Sequence, residues 1–263
     1  MKRLWDMRVA EVRRVVHLTP KMRRITLGGP ELENFHSGTH LKVLIPPAGV
    51  TPQWPMQDDA GKAVWPEGPS RPAMRTYTLR AYRPEAAEID IDFVLHGKGI
   101  ASQWAECARG GEVVGIIPPG KGSTYVQPAQ HHLIAGDHCT VPAVSVILEG
   151  LPETATAEVF MLLPDLQELP VLLTHAQVKT HWLFEDQGES QQHLIQRVLE
   201  ASWPNHEKTF VWVGGESQLV RTVRQHALQE RGLHPSMLYA LGYWKAGMTE
   251  TRYSTELGYD FRT

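Results

Sequence analysis

The sequence predicts an N-terminal antiparallel β-barrel followed by an α/β domain built on a mostly parallel sheet. Three observations carry that expectation. Short apolar runs in the first half are cut by glycine and proline turns, as in barrels. One of them, EIDIDFVLHG (88–97), alternates strictly at Ile89, Ile91 and Phe93. From about residue 128 onward, apolar strand-like runs alternate with segments of helical spacing, the signature of βαβ units. The domains expected are therefore 1–128 and 129–263.

The elements follow in order. MRVAEVRRVVHL and KMRRITLGG, within 7–27, read as two strands parted at Thr19 and Pro20. LKVLIPP (41–47) and AMRTYTLRAY (73–82) are further strands, with residues 48–72 a proline-rich surface loop between them. SQWAECA (102–108) is a short helix with Ser102 placed to cap it, and EVVGIIPPG (112–120) is the last barrel strand. In the second domain HHLIAGD (131–137) is a strand leading into a helix at 141–149. AEVFMLLP (157–164), THWLFED (180–186), a helix at 189–201 and TFVWVGG (209–215) come next. Glu216 to Arg231 carries Leu219, Val220, Val223, Ala227 and Leu228 at helical spacing, with Gly232 at the C′ position, and SMLYALGYW (236–244) closes the series.

Composition narrows the class. At 263 residues, 42% hydrophobic and 21% charged, with 22 glycines and 19 prolines, the chain is globular and turn-rich. A net charge of −3 offers no general attraction for nucleic acid or anionic membrane, so an anionic ligand must be drawn by a local cluster of bases. Two cysteines, Cys107 and Cys139, make no disulfide framework. MKRLWDMRVAEV lacks the apolar core of a signal peptide, and no run approaches the roughly 18 apolar residues of a membrane span. The expectation is a cytoplasmic monomer without membrane insertion.

Several motifs fall on their own chemistry. GIIPPGKGS (115–123) approaches a phosphate-binding loop, yet Pro118 and Pro119 remove two N–H donors and Gly122 stands where a metal-holding hydroxyl belongs. A β-turn presenting Lys121 is the better reading. His131 and His132 point to opposite faces of a strand, and with His138 and Cys139 they make no metal-ligand spacing, so no metal site is expected. No activated nucleophile or catalytic acid–base pair is found. HLIAGDHCTVPAVSVI occupies the place of a dinucleotide-binding glycine fingerprint but has a single glycine, Gly136, before Asp137. Asp137 stabilises the helix start and repels a diphosphate; because it stands at the default ligand edge of such a sheet, it joins the cofactor-site candidates.

The segment RPAMRTYTLRAYRP is the informative one. Arg75 and Tyr77 share a strand face and Thr78 follows at its edge, which assembles a phosphate-binding guanidinium, an aromatic plane and a hydroxyl. A flavin dinucleotide needs these three groups. HGKGIASQW (96–104) then supplies glycines that let backbone N–H groups approach an anion, and a helix start that favours negative charge.

Arg-Thr-Tyr-Thr at 75–78 followed by Gly-Ile-Ala-Ser at 99–102 resembles the signature pair of ferredoxin-reductase-like flavoproteins. More narrowly, the chain resembles the siderophore-interacting proteins. The matching segments are THLKVLIP (39–46), WPEGPSRPAMRTYTLR (65–80), IDFVLHGKGIASQWA (91–105), AGDHCTVPA (135–143), WVGGESQLVRTVR (212–224) and GYWKAGMTE (242–250). The pattern departs at His138 and Cys139, where family members commonly carry Glu and Thr. The resemblance implies FAD held by Arg75, Tyr77 and Thr78, with His96, Gly97, Ala101, Ser102 and Trp104 lining the rest. It implies a basic pocket for an anionic ferric siderophore, with Lys42 and Lys121 at the family's basic positions, and NADH, NADPH or a ferredoxin as electron donor; Lys245, after Tyr243 and Trp244, is the choice for a third base. A general flavin reductase without a chelate site, and a siderophore-binding module without activity, stand as alternatives.

Overall fold

A computed structural model describes residues 2–35, 38–120, 123–203, 208–248 and 252–253. The chain divides into two compact units, Met1–Thr124 and Tyr125–Thr263.

In the first unit β1 (Lys2–Arg3), β2 (Arg8–Thr19), β3 (Met22–Gly28), β4 (His40–Ile45), β5 (Met56–Gln57) and β6 (Ala63–Val64) precede β7 (Ala73–Thr78), β8 (Ala81–Arg83) and β9 (Glu88–Val94). Helix α1 (Ile100–Cys107) and β10 (Val113–Ile117) complete it. The main sheet runs β7-β4-β10-β2-β3-β9-β8, every pairing antiparallel. Its two edges, β7 and β8, are one stretch of chain interrupted only at Leu79 and Arg80. The ladder changes partner there: Leu79 N–H donates to the Thr39 carbonyl and Arg80 N–H to the Asp90 carbonyl, each at 3.0 Å. One strand thereby pairs with β4 through its first half and β9 through its second, and the sheet closes into the expected barrel. Alternation fills the interior with Val12, Ile25, Leu27, Leu41, Val43, Ile89, Ile91, Phe93, Val114 and Ile116.

Three local expectations are corrected. The helix begins two residues earlier than its periodicity suggests. Gly99, at φ 83, turns the chain into α1, and Ser102 lies inside the first turn rather than at the cap. A Cβ-bearing residue adopts that φ only with strain, so the backbone angle at Gly99, which periodicity does not record, marks the helix start. Second, the 48–72 loop carries the β5–β6 pair and packs Trp54 and Trp65 against Met7, Leu44 and Ile117. Third, the predicted helix from Glu216 changes to a π-helical turn at His226–Glu230.

The second unit comprises β11 (His131–Asp137), α2 (Val141–Gly150), β12 (Thr156–Leu163), β13 (Gln177–Phe184), α3 (Gln191–Glu200), β14 (Thr209–Glu216), α4 (Ser217–Gln225) and β15 (Leu238–Trp244). All five strands are parallel, in the order β13-β12-β11-β14-β15. The first strand is central, so the winding reverses between β11 and β14, the switch point where ligands of such sheets bind. Leu133, Ala135, Phe160, Leu162, Val211 and Val213 face α3 and α4 through Leu194, Val198, Leu219 and Val223. On the alternate face Trp212 stacks on Tyr239, with centroids 5.9 Å apart and planes within 9°, and Tyr125 meets both rings edge-on.

Candidate functional site

Strand β7 and helix α1 come together through a row of rings. Tyr77 lies against Phe93 of β9 at 4.2 Å between centroids, and Phe93 meets Trp104 of α1 edge-on at 5.5 Å. The two motifs read separately in the sequence are thus joined across the barrel wall. Arg75, half-buried, donates from Nη1 to the Met74 carbonyl at 2.8 Å. Register places Arg75 opposite Val43 and Tyr77 opposite Leu41, on the face that carries the barrel core. Thr78, opposite His40, takes the alternate face and is 7% exposed.

The loop 96–99 is exposed and open. Gly97 (φ 68) has nothing within 4 Å of the space a Cβ would fill, and α1 starts without a side-chain cap. Its first-turn N–H groups and this glycine turn are a chemically suitable cradle for an anionic cofactor. Ser102 and Ala101 are buried beneath it. The Ser102 hydroxyl accepts from His96 N–H at 2.9 Å, fixing the loop to the helix. Trp104 donates its indole N–H to Glu112 at 2.9 Å. His96 itself is exposed, and its Nδ1 accepts from Lys98 N–H at 3.3 Å. At the far end of α1, Arg23 Nη1 donates to the carbonyl of Ala105 at 2.6 Å, holding the last turn.

Lys42 of β4 pairs with Thr76 in register, and its ammonium donates to the Thr76 hydroxyl. The pair shares the face of Thr78, opposite to Tyr77. Lys245 follows β15 in the second unit, half-buried, and Lys121 lies outside the described residues.

At the switch point Asp137 is the centre of a network. Its Oδ1 accepts from Cys139 N–H at 3.1 Å and from the Cys139 thiol at 2.8 Å. Its Oδ2 accepts from Glu216 N–H at 2.9 Å and from the Trp244 indole at 2.8 Å. Burial raises the Asp137 pKa against those four donors. Burial and the neighbouring Asp137 charge push the Cys139 thiol well up, so it stays protonated. His138, one of the residues departing from the family pattern, places Nε2 3.1 Å from the fully buried carboxylate of Glu168.

Two family models cover the chain: a siderophore-interacting FAD-binding domain over residues 11–123 and the siderophore-interacting protein model over 129–247. Ferric vibriobactin reductase ViuB of Vibrio cholerae is 33% identical over 95% of this chain and 93% of its own. The chain belongs to the siderophore-interacting protein family. The NADPH-dependent ferric-chelate reductase of Escherichia coli is 30% identical over 92% of this chain and 94% of its own. The siderophore-interacting protein SipS from Aeromonas hydrophila superposes at a TM-score of 0.81, with 32% identity over 95% of this chain and 96% of that one. A ferredoxin NADP+ reductase from Neisseria gonorrhoeae shares the fold alone, at 12% identity and a TM-score of 0.59, covering 91% of this chain and 99% of that one.

In this siderophore-interacting protein the residues missed by sequence reasoning are Thr76, Glu216 and Trp244. Thr76 is visible only once β4 and β7 are set in register. Glu216 heads the helix that apolar spacing predicts, and in the structure its side chain accepts from Gln218 N–H, but nothing in the sequence marks it as a partner of Asp137.

Proposed function

We propose that the protein is an FAD-dependent ferric-siderophore reductase, a monomer acting in the cytoplasm on electrons from NADH, NADPH or a ferredoxin. The observation that carries the reading is the Tyr77–Phe93–Trp104 ring row, which joins the Arg75-to-Thr78 strand to α1, the helix that the open glycine turn leads into. The names of the relatives, a ferric vibriobactin reductase and a ferric-chelate reductase, agree with it. Bound FAD supplies the ability to take electrons in pairs and give them singly to iron.

The chain's own residues bind and orient. Arg75 offers a bidentate fork to the cofactor diphosphate, and Tyr77, braced by Phe93, offers a fixed aromatic plane. Thr78 offers a hydroxyl at the strand end. His96, Gly97 and the first turn of α1, with Ala101 and Ser102 beneath and Trp104 beside it, shape the rest of the cradle. Lys42, Lys121 and Lys245 supply local positive charge for an anionic chelate, which the overall charge of −3 conceals. The protein need not ligate the iron, because the chelator releases Fe(II) once its oxygen ligands no longer match the softer ion.

The test is anaerobic turnover of a ferric siderophore in the presence of a ferrous-specific dye. The expected result is dye colour that depends on added FAD, with Lys42→Ala lowering kcat/KM about tenfold at unchanged FAD content. Colour unaffected by Lys42→Ala points to a general flavin reductase, and chelate binding without colour points to a binding module. Light scattering reads the monomer directly; a dimer mass contradicts it.

A further inference from the structure

The switch point of the second unit is where a parallel sheet of this winding holds the diphosphate of a nucleotide, using backbone N–H groups and glycines that allow close approach. Here those features are already in use. The N–H groups of Cys139, in the turn after β11, and of Glu216, at the end of the adjacent β14, both donate to the Asp137 carboxylate, at 3.1 and 2.9 Å. A further amide of the α4 turn, Gln218 N–H, donates to the Glu216 carboxylate.

The glycines are filled as well. A Cβ on Gly136 would stand 2.1 Å from Thr140 Oγ1, and one on Gly215, whose φ is +115, would stand 2.4 Å from Asp137 Oδ2. Both glycines make room for the chain's own oxygen atoms. Trp244 closes the carboxylate from a third side through its indole N–H, at 2.8 Å. Asp137 therefore sits in a purpose-built carboxylate cradle, and a diphosphate brought to the same spot would meet two carboxylates, Asp137 and Glu216, and no spare amide among these three.

We propose that Asp137 is a built-in occupant of the anion position at this switch point, so that a pyridine nucleotide cannot seat its diphosphate on the turn after β11 while that carboxylate is in place. The inference rests on the reading that a nicotinamide nucleotide feeds this enzyme, and it names Asp137 as the residue that keeps the nucleotide's hold weak and carried by its other parts.

The probe is ADP-ribose, which carries the diphosphate without the redox-active ring, titrated by calorimetry into the FAD-loaded protein and into Asp137→Asn. The wild type is expected to bind with a Kd above about 1 mM, and the variant at least about tenfold more tightly once the like charge is gone. Wild-type binding tighter than about 0.1 mM, or an equal or weaker affinity in the folded variant, overturns the proposal. Should Asp137→Asn fail to fold, amide shifts of the wild type decide. The Cys139 and Glu216 N–H signals should stay unmoved by ADP-ribose; saturable shifts of both contradict the proposal. A protein that does not retain FAD sinks the reductase reading instead, and the amide shifts still decide this inference.

Discussion

Tyr77 is a half-buried ring that has two neighbours to satisfy, the barrel core behind it and the ligand proposed in front. Its contact with Phe93 at 4.2 Å fixes it without a ligand, so the plane is formed in advance and little ordering cost remains for binding. Arg75→Ala is expected to weaken FAD binding by about 1.5–3 kcal/mol, roughly tenfold to a hundredfold, in a titration of apoprotein followed by flavin fluorescence. Loss of less than about threefold would take Arg75 out of the site. The two cysteines should differ sharply. Cys107 is exposed, whereas burial and Asp137 keep Cys139 protonated, so brief iodoacetamide treatment of the native protein should label Cys107 alone by mass spectrometry. At this scale the sequence was a good guide where chemistry is local. The Arg75–Tyr77 alternation needed only a two-residue period. Thr78 fell on the other face because the same period carries it there. Two of the donors to Asp137, Glu216 N–H and the Trp244 indole, were out of reach, lying 79 and 107 positions away.

The element on which the first unit depends is the strand from Ala73 to Arg83, whose two halves close the barrel. Its second half is anchored by charge. Arg83 donates to both oxygens of Asp90 at 2.7 Å and also to Glu88, while Thr26 donates to Asp90 at 2.8 Å. Burial raises the Asp90 pKa, but the bonds from Arg83 and Thr26 and the nearby Arg24 outweigh it, and the carboxyl is held below its ordinary 3.8. A depressed carboxyl contributes stability that is fully present above the unfolded value and is lost as pH falls through the folded one. Asp90→Asn should therefore flatten the acid limb of a stability curve below about pH 4, and a curve of unchanged shape would exclude Asp90 as its source. Asp90→Ala, which leaves Arg83 with Glu88 as its remaining carboxylate partner, should cost about 2 kcal/mol in denaturant unfolding, because Arg83 is partly open to solvent. The strand itself was legible from alternation, but its break at Leu79 and Arg80 was not, since changing partners from β4 to β9 leaves the side-chain period intact. The start of α1 escaped for a related reason: Gly99 sets it by backbone angle, and periodicity carries no record of φ.

At the scale of the molecule, the change from alternation to helical spacing near residue 128 separated a closed antiparallel barrel from a five-stranded parallel sheet, and the resemblance in the two motifs named the family. The missing glycine fingerprint has a physical explanation in the second unit, where Gly136 and Gly215 accommodate protein oxygens. Tight FAD binding should stabilise the first unit by mass action, raising its unfolding free energy by about 2.7 kcal/mol at a hundredfold excess over Kd. The most direct measurement of the central claim is the visible spectrum of the protein after incubation with excess FAD and desalting, beside that of an Arg75→Ala, Tyr77→Ala double variant. About one flavin is expected to remain per chain in the wild type and almost none in the folded variant. A colourless wild type, or a variant that keeps its flavin equally well, would contradict it.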